Sequence, residues 1–145
     1  MTNILLTIRN WKTGDIIFDP GFTEHLLECN WAALLRKAVQ LAVLHGVNLS
    51  DSSLVGADLA ALDLHDVPFA HAKLNNANLS HTNLSGANLQ GAQLEYVRAI
   101  GVNLRRANLA NATLSHADLF NADLIGANLS QADFRAAELR RARVG

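Results

Sequence analysis

The sequence is poor in the residues that most often carry cross-links or catalysis. It has one cysteine, two prolines and one tyrosine among 145 residues, and aromatic residues make up 6% of it. The single cysteine, Cys29, excludes an intrachain disulfide and supplies no cysteine-based metal cluster. This usage agrees with a reducing compartment, so we expect a cytoplasmic protein in which Cys29 is a buried or half-buried helix residue.

Long apolar runs and a strong charge of either sign are also missing. No apolar run approaches the roughly 18 residues of a membrane span, and the apolar start at residues 1–6 is too short for a secretory signal. The formal net charge is -1 at pH 7. These features predict no membrane partner and give no general attraction to nucleic acid.

A five-residue repeat is present instead, from about Val47 to the end of the chain. Leucine or a close substitute recurs at its centre twenty times without a slip, and alanine or another small or apolar residue stands two places earlier. The centres are Leu49, Leu54, Leu59, Leu64, Phe69, Leu74, Leu79, Leu84, Leu89, Leu94, Ala99, Leu104, Leu109, Leu114, Leu119, Leu124, Leu129, Phe134, Leu139 and Val144. The other three positions are mostly polar.

A period of five fits neither a helix nor a flat strand. On a helix, successive centres would step about 140° and spread over all sides, and on a strand they would alternate between the two faces. A backbone corner in every repeat lets both apolar positions point inward, which predicts a β-solenoid of stacked coils. Alanine beside each leucine indicates a narrow lumen with room for one large side chain per repeat. Period five alone does not exclude three sides.

Segments such as 77–81, 87–91 and 127–131 have the form A-N-L-x-x, which resembles the A-[DN]-L-x-x signature of the pentapeptide-repeat family over about two thirds of the chain. The resemblance implies a mainly β fold, a right-handed quadrilateral parallel β-helix with four repeats per coil and about five coils. Some relatives are bacterial or phage proteins, and some imitate duplex DNA and bind DNA gyrase.

The first 45 residues lack the repeat. Residues 4–8 and 15–18 predict a β-hairpin joined through 9–14, and apolar residues at helical spacing predict a helix between Phe22 and His45, ended by Gly46. A solenoid end exposes unpaired backbone and an open lumen. We therefore expect residues 1–45 to form an N-terminal cap and 46–145 the repeat domain, with an independent docking module as the alternative for 1–45.

The other end of the repeats stays in register to the last residues and has no separate cap. Either its arginines blunt the edge or two molecules stack end to end as a homodimer. The candidate contacts for stacking are Leu139, Arg140 and Val144.

Catalytic and metal-binding patterns are missing from the repeats. The six histidines fall on different sides or coils with no cysteine or carboxylate set, so we predict no metal and no cofactor. His65 and Asp66 could form an acid and base pair, but both project from a corner without a pocket, which favours solvated polar residues. The glycines Gly56, Gly86, Gly91, Gly101 and Gly126 all take the corner position, where a permissive backbone is useful. An enzyme is the least favoured class.

Charge is uneven along the repeats. Carboxylates outnumber the one lysine between residues 46 and 97, whereas seven arginines follow from Arg98 onward. No continuous acidic stripe matches the charge density of B-DNA, which disfavours a gyrase-binding DNA mimic as the main function. The mimic is kept as the alternative function, with Asp58, Asp63 and Asp66 as its candidate acidic face. The short basic tail at 140–143 has no aromatic platform, which disfavours a nucleic-acid partner.

Three large apolar residues occupy outward positions where polar ones are usual. Ile100 and Phe120 are twenty residues apart and Ile125 lies on the adjoining face, so we predict an interaction patch for a protein partner. Nearby, Ala99 replaces the usual leucine. One explanation is local repacking, in which Val97 or Ile100 compensates for the lost volume; the other is that the irregular repeat is a binding site. The sequence thus predicts a non-enzymatic scaffold for macromolecular interaction.

Overall fold

The computed structural model of the chain describes residues 7–19 and 31–145. Strands β1 (Ile8–Arg9) and β2 (Ile16–Phe18) form an antiparallel hairpin, and α1 (Trp31–Leu44) follows. The hairpin connection and a helix are therefore where the sequence predicted them. Residues 4–6 of the first strand expected at 4–8, the expected start of the helix at Phe22 and the expected burial of Cys29 lie outside the described residues.

Parallel bridges join residues twenty apart along the whole repeat part, from Ser53 with Lys73 to Asp123 with Arg143. Each coil therefore takes four repeats. From Leu49 to Leu124 the centre of each repeat donates its backbone N–H to the next coil, as Leu54 does to the carbonyl of Lys73 at 2.8 Å. The residue before it donates backward, as Asn78 does to Ala57 at 2.9 Å. On each side of the rod, backbone N–H and C=O groups are thus paired with those of the neighbouring coils, and this pairing fixes the stacking.

The core is the ladder of repeat centres and the small residues two places before them. From Leu49 to Leu124 every centre is at most 3% exposed. Burying one leucine contributes about 2 kcal/mol, so a lumen of stacked leucines supports the fold with few aromatic residues.

The hairpin and α1 lie against the first coil. Ile8, Leu35 and Ala42 are buried in the same apolar cluster as Leu49. Asn10 forms an antiparallel bridge with Ser52, so the hairpin pairs with backbone that the first coil would otherwise leave open.

Side chains strengthen this contact. The indole Nε1 of Trp11 donates to the carbonyl of His71 at 2.8 Å, and the ammonium of Lys73 lies 4.1 Å from the Trp11 ring centre. On the other side, Arg36 of α1 donates to the carbonyl of Ala60 at 2.6 Å. Gly46 ends the helix with φ of 64°, and Val47 N–H closes the turn on the carbonyl of Ala42 at 2.9 Å, which is the Schellman arrangement.

The second residue of every corner has a positive φ. Fourteen of these positions carry a side chain, including Ala61 with φ of 56°, and the others are glycines. A permissive backbone is therefore only part of the reason for the corner glycines. Asp66 and His71 each lie over a glycine in the next coil, Gly86 and Gly91, where an added Cβ would collide with them. Glycine here makes room for a neighbouring side chain.

We expect Ala61→Gly to stabilise the protein. Alanine in the left-handed region is strained by about 1 to 2 kcal/mol, and the larger unfolded-state entropy of glycine offsets only part of that gain. The net effect should be about 0.5 to 1 kcal/mol in urea unfolding. Ala60→Gly is the matched control, because Ala60 has no positive φ and should lose stability instead. Destabilisation by both substitutions would contradict the strain.

Candidate interaction surface

Ile100 and Phe120 lie at the same corner on successive coils, as the spacing of twenty predicted. They line an open groove of about 410 Å³ together with His116, Asp118 and Glu138, and Ala117, Ala136 and Arg140 complete it. Ile125 is five residues beyond Phe120 and lies at the next corner, outside this groove. The predicted patch is therefore two residues on one corner, with Ile125 apart from them.

Tyr96 borders the same side of the rod and lies at the corner at its other end. It is 60% exposed, and its ring stacks on His116 in the next coil with centroids 4.8 Å apart and planes 3° from parallel. Tyr96 and Phe120 are the outward aromatic residues of the repeats, because the other two, Phe69 and Phe134, occupy repeat centres. We call residues 96–100, 116–120 and 136–140 the aromatic face.

The two carboxylates of the aromatic face differ in their partners. Glu138 accepts three hydrogen bonds from Arg140, one from its backbone N–H at 2.8 Å and two from its Nε, which lies 3.0 Å from each carboxylate oxygen. These bonds lower the pKa of Glu138 and raise the pKa of Arg140. Asp118 accepts the backbone N–H of Phe120 at 3.2 Å, and no side chain in the described part of the chain pairs with it. Asp118 therefore has no close ion-pair partner among the described residues, but Arg140 is near enough to act on it electrostatically and Arg98 precedes it in the same column.

Most of the arginines in the second half of the repeats are paired locally. Asp123 lies 3.0 Å from Arg105 and 3.2 Å from Arg143. Arg135 lies 2.7 Å from Asp133 and lowers the pKa of that carboxyl to about 2. The basic character that the sequence suggested is thus partly neutralised by neighbouring carboxylates.

The three aspartates of the candidate acidic face do not stack along the rod. Asp58 lies on one side of the first coil, Asp63 on the next side and Asp66 at the following corner, because they are separated by five and three residues of a twenty-residue coil. Asp63 pairs with His65 at 2.9 Å, which lowers the pKa of Asp63 and raises the pKa of His65. The histidine therefore contacts Asp63, whereas the pair considered and disfavoured from the sequence was His65 with Asp66.

The polar ladders of the rod have structural partners. Asn128 donates to Asn108 at 3.1 Å, Asn108 donates to Asn88 at 3.2 Å, and each asparagine also accepts a backbone N–H two residues on. The asparagine column at 88, 108 and 128 is therefore a structural feature that bonds the turns and links the coils.

The last coil exposes the apolar positions that are buried elsewhere. Leu139 is 39% exposed and Val144 is 64% exposed, whereas Leu89 in the middle of the rod is fully buried. Arg140 belongs to this coil too, but its guanidinium is held by Glu138. The three candidate end-contact residues thus lie on one coil, where Leu139 and Val144 present apolar surface.

Neither a metal site nor a membrane span is found in the described residues. No group of three histidine, cysteine, aspartate or glutamate side chains within residues 7–19 and 31–145 has the geometry to hold a metal ion. In the same ranges no helix has the length and apolar character needed to cross a membrane.

Comparison with protein families identifies the class to which this geometry belongs. The model of the family described as pentapeptide repeats matches in eight copies, over residues 63–98, 88–124, 100–135 and 117–144. These ranges together span more than half of the chain. The chain therefore belongs to the pentapeptide-repeat family, and its repeat part is a β-helix solenoid.

Solved structures of the same family are similar to the chain. The pentapeptide-repeat protein Rfr23 from the cyanobacterium Cyanothece 51142 is 33% identical over 68% of this chain and 60% of its own, with a TM-score of 0.49. HetL from the cyanobacterium Nostoc, which is involved in heterocyst differentiation regulation, is 34% identical over 67% of this chain and 48% of its own, with a TM-score of 0.36.

More distant is QnrB1, a plasmid-mediated fluoroquinolone resistance protein, which is 20% identical over 68% of this chain and 65% of its own, with a TM-score of 0.24. This chain spans less than two thirds of the length of Rfr23 and about half of HetL. A comparison with curated proteins found no match.

Proposed function

We propose that this pentapeptide-repeat protein is a non-enzymatic scaffold that binds another protein through its aromatic face. The observation that carries the proposal is the placement of Tyr96 and Phe120. Both outward aromatic residues of the repeats border one side of the rod, together with Ile100. Aromatic residues and arginine are enriched where binding energy concentrates in protein interfaces. A polar solenoid surface has no structural need for them.

Local ion pairing disfavours a nucleic-acid partner. Phosphate binding depends on arginines and lysines that are free to neutralise the backbone. Here Arg105, Arg135 and Arg143 are engaged by carboxylates. The aromatic face carries two arginines and two carboxylates, so it has no net positive charge to attract phosphates.

Site-specific photo-cross-linking tests the proposal. A photoreactive residue at Asn121 stands beside Phe120, and one at Asn111 stands at the diagonally opposite corner, one side beyond the Tyr96 end of the aromatic face. Both are asparagines at the same corner position, with φ of 59°, so they are a matched pair. In extract of the source cells we expect adducts from position 121 and few from 111. Phe120→Ser combined with Tyr96→Ser should remove them.

Equal labelling from positions 111 and 121, or adducts that survive the double substitution, would contradict a partner on this face. Circular dichroism checks that each variant is folded, which we expect because Tyr96 and Phe120 lie outside the lumen.

We extend the proposal to the handedness and coil number of the solenoid, the domain limits and the location of the protein. The bridges between residues twenty apart support a quadrilateral β-helix of about five coils, and membership of the pentapeptide-repeat family supports its right-handed sense. The contacts of the hairpin and α1 with the first coil support residues 1–45 as a cap and 46–145 as the repeat domain. A cytoplasmic location and a bacterial or phage source agree with the single cysteine and the family, and they stay predictions.

A DNA-mimicking inhibitor of DNA gyrase is the weaker candidate. A mimic needs carboxylates spaced along the rod, whereas Asp58, Asp63 and Asp66 are spread around one coil. Inhibition of supercoiling by the purified protein at near-stoichiometric amounts, lost when these three are neutralised, would favour it.

Homodimerisation through the last coil is the remaining proposal on partners. Its support is the exposure of Leu139 and Val144 and the open backbone of that coil, which would pair with a second copy. A dimer mass in light scattering that falls to the monomer in Leu139→Glu would establish it.

A further inference from the structure

We propose that the aromatic face binds a second copy of this chain, so that two rods pack side to side across a twofold axis. This inference rests on the proposed function and names the partner of the same face. It differs from stacking through the last coil, because the rods meet along their sides and the open end of each rod stays free.

The side of the rod that carries the aromatic face is complementary to itself. Arg98 is exposed and is the neighbour of Asp118 in the central column of this side. A twofold axis perpendicular to the side, midway between these two residues, places each Arg98 opposite the Asp118 of the second copy. Residues two places before and after them are exchanged in the same way. The central contacts are then Tyr96 with Phe120, Arg98 with Asp118 and Ile100 with His116, and each of them forms twice.

The aromatic residues supply the attraction. Tyr96 is 60% exposed in the single chain, and Phe120 and Ile100 line the open groove. In the dimer each Tyr96 meets the Phe120 of the second copy, and aromatic pairs attract one another beyond the burial of their area. The stack of Tyr96 on His116 orders the tyrosine ring before the copies meet, which lowers the entropy cost of binding.

The charges of the face permit this register and oppose the neighbouring ones. The face carries two arginines and two carboxylates, so it does not repel a copy of itself. If the axis lay one coil further along, between Asp118 and Glu138, two carboxylates would meet. If it passed through Arg98 or through Asp118, that residue would meet its own copy. Contacts between like charges suppress these alternatives.

The charged residues outside the central contact keep the partners that they have in the single chain. Arg140 is bound to Glu138, and the guanidinium of Arg141 lies 5.6 Å from the centre of the Phe120 ring. The same axis places uncharged side chains opposite them. The outer contacts are Glu138 with Asn78, Arg140 with Asn76, Arg141 with Asn75, Glu95 with Asn121, and Arg135, which is bound to Asp133, with His81.

The size of the overlap predicts a weak dimer. Four strands of each copy meet, about 4.8 Å apart and about five residues long, which gives an overlap of about 300 Å² before the relief of the side chains is counted. Stable dimers bury about 800 Å² on each partner. We therefore expect the dimer to form at a concentration of about 0.1 to 1 mM.

Charge reversal at the central contact tests the inference. Arg98→Asp and Asp118→Arg each bring like charges together in a pair of identical chains, so each variant alone should associate at least about tenfold more weakly. Asp58 precedes them in the same column, so the column accepts both residue types. An equimolar mixture of the two variants has opposite charges at both contacts and should dimerise again. Sedimentation velocity follows the mass from that of the 15.7 kDa chain.

Arg106→Asp is the matched control. It reverses one charge at a corner that does not border the aromatic face, where Asp66 has the same φ of 57° two coils earlier. That variant should associate as the unsubstituted protein does. In the purified protein, a photoreactive residue at Asn121 should also give adducts of twice the chain mass, attached near Glu95 of the second copy.

Several results would overturn the inference. They are a monomer mass up to about 1 mM, association that survives both charge reversals, an equal loss in Arg106→Asp, and a mixture of the reversed variants that stays monomeric. A dimer that only Leu139→Glu removes would lie at the last coil instead. If the purified protein is monomeric and position 121 still captures a different protein selectively in extract, the second copy is rejected and the proposed function stands. Unselective cross-linking would reject the proposed function itself.

Discussion

Leu89→Asp is expected to leave the repeat part unfolded at room temperature. Leu89 is fully buried in the lumen, so the change removes about 2 kcal/mol of apolar burial and places a carboxylate where no partner exists. An unpaired buried charge costs several kcal/mol more. Domains of this size are stable by about 5 to 15 kcal/mol, so a loss above about 5 kcal/mol should abolish the folding transition in circular dichroism.

Asn88→Asp is the control that separates the effect of burying a carboxylate in the lumen from the effect of adding a negative charge to the protein. It introduces the same residue one position away, on the outside of the same coil, and its oxygen can still accept the N–H of Asn108 and of Gln90. Aspartate already occupies this repeat position at Asp118 and Asp123. We expect a change within about 0.5 kcal/mol. A folded Leu89→Asp protein with normal urea unfolding would show that the lumen admits water, contrary to its burial.

The stacking of the repeats could be predicted because period five forces it. Once residues twenty apart share a column, the asparagine ladder from Asn88 to Asn128 follows from the sequence alone. The stack of Tyr96 on His116 has the same spacing and could also have been found. Tyr96 lies in the irregular repeat around Ala99, where the missing leucine is the more prominent sequence signal. The separation of Ile125 from Phe120 follows from the same arithmetic, since five residues lead to the next corner.

Contacts without a periodic signal could not be predicted. The indole of Trp11 binds the carbonyl of His71 sixty residues away, and nothing in either local sequence indicates that pairing. Ion pairing has the same limit, because Asp123 is shared by Arg105 and Arg143. Counting charges by segment suggested a basic tail, whereas the geometry decides which charges remain available to a partner.

The irregular repeat at Ala99 is explained by volume exchange within the lumen. Ala99 lies between Leu79 and Leu119 in its column, and the cavity beside it is only about 10 Å³, close to the size of one water-sized probe. Val97 and Val102 replace the usual alanine on either side and are both 1% exposed. Each valine has two more carbon atoms than alanine, which together offset the three carbons that Ala99 lacks relative to leucine. Ile100 faces the groove, so the compensation comes from the two valines.

Ala99→Leu is therefore expected to destabilise the protein by about 1 to 3 kcal/mol, although it restores the consensus residue, because an already filled lumen must accept a larger side chain. Val97→Ala with Val102→Ala should also destabilise it by opening a cavity. The triple variant should come within about 1 kcal/mol of the original protein, since the two defects cancel.

Urea unfolding of the four proteins gives this coupling directly as the departure from additivity. Additive losses would mean that the valines and Ala99 do not share space, and a stabilising Ala99→Leu would mean that the lumen had room to spare. Cancellation in the triple variant would show that the total side-chain volume inside each coil determines stability more than a leucine at every centre. A smaller centre such as Ala99 would then cost no stability when its neighbours along the chain are larger.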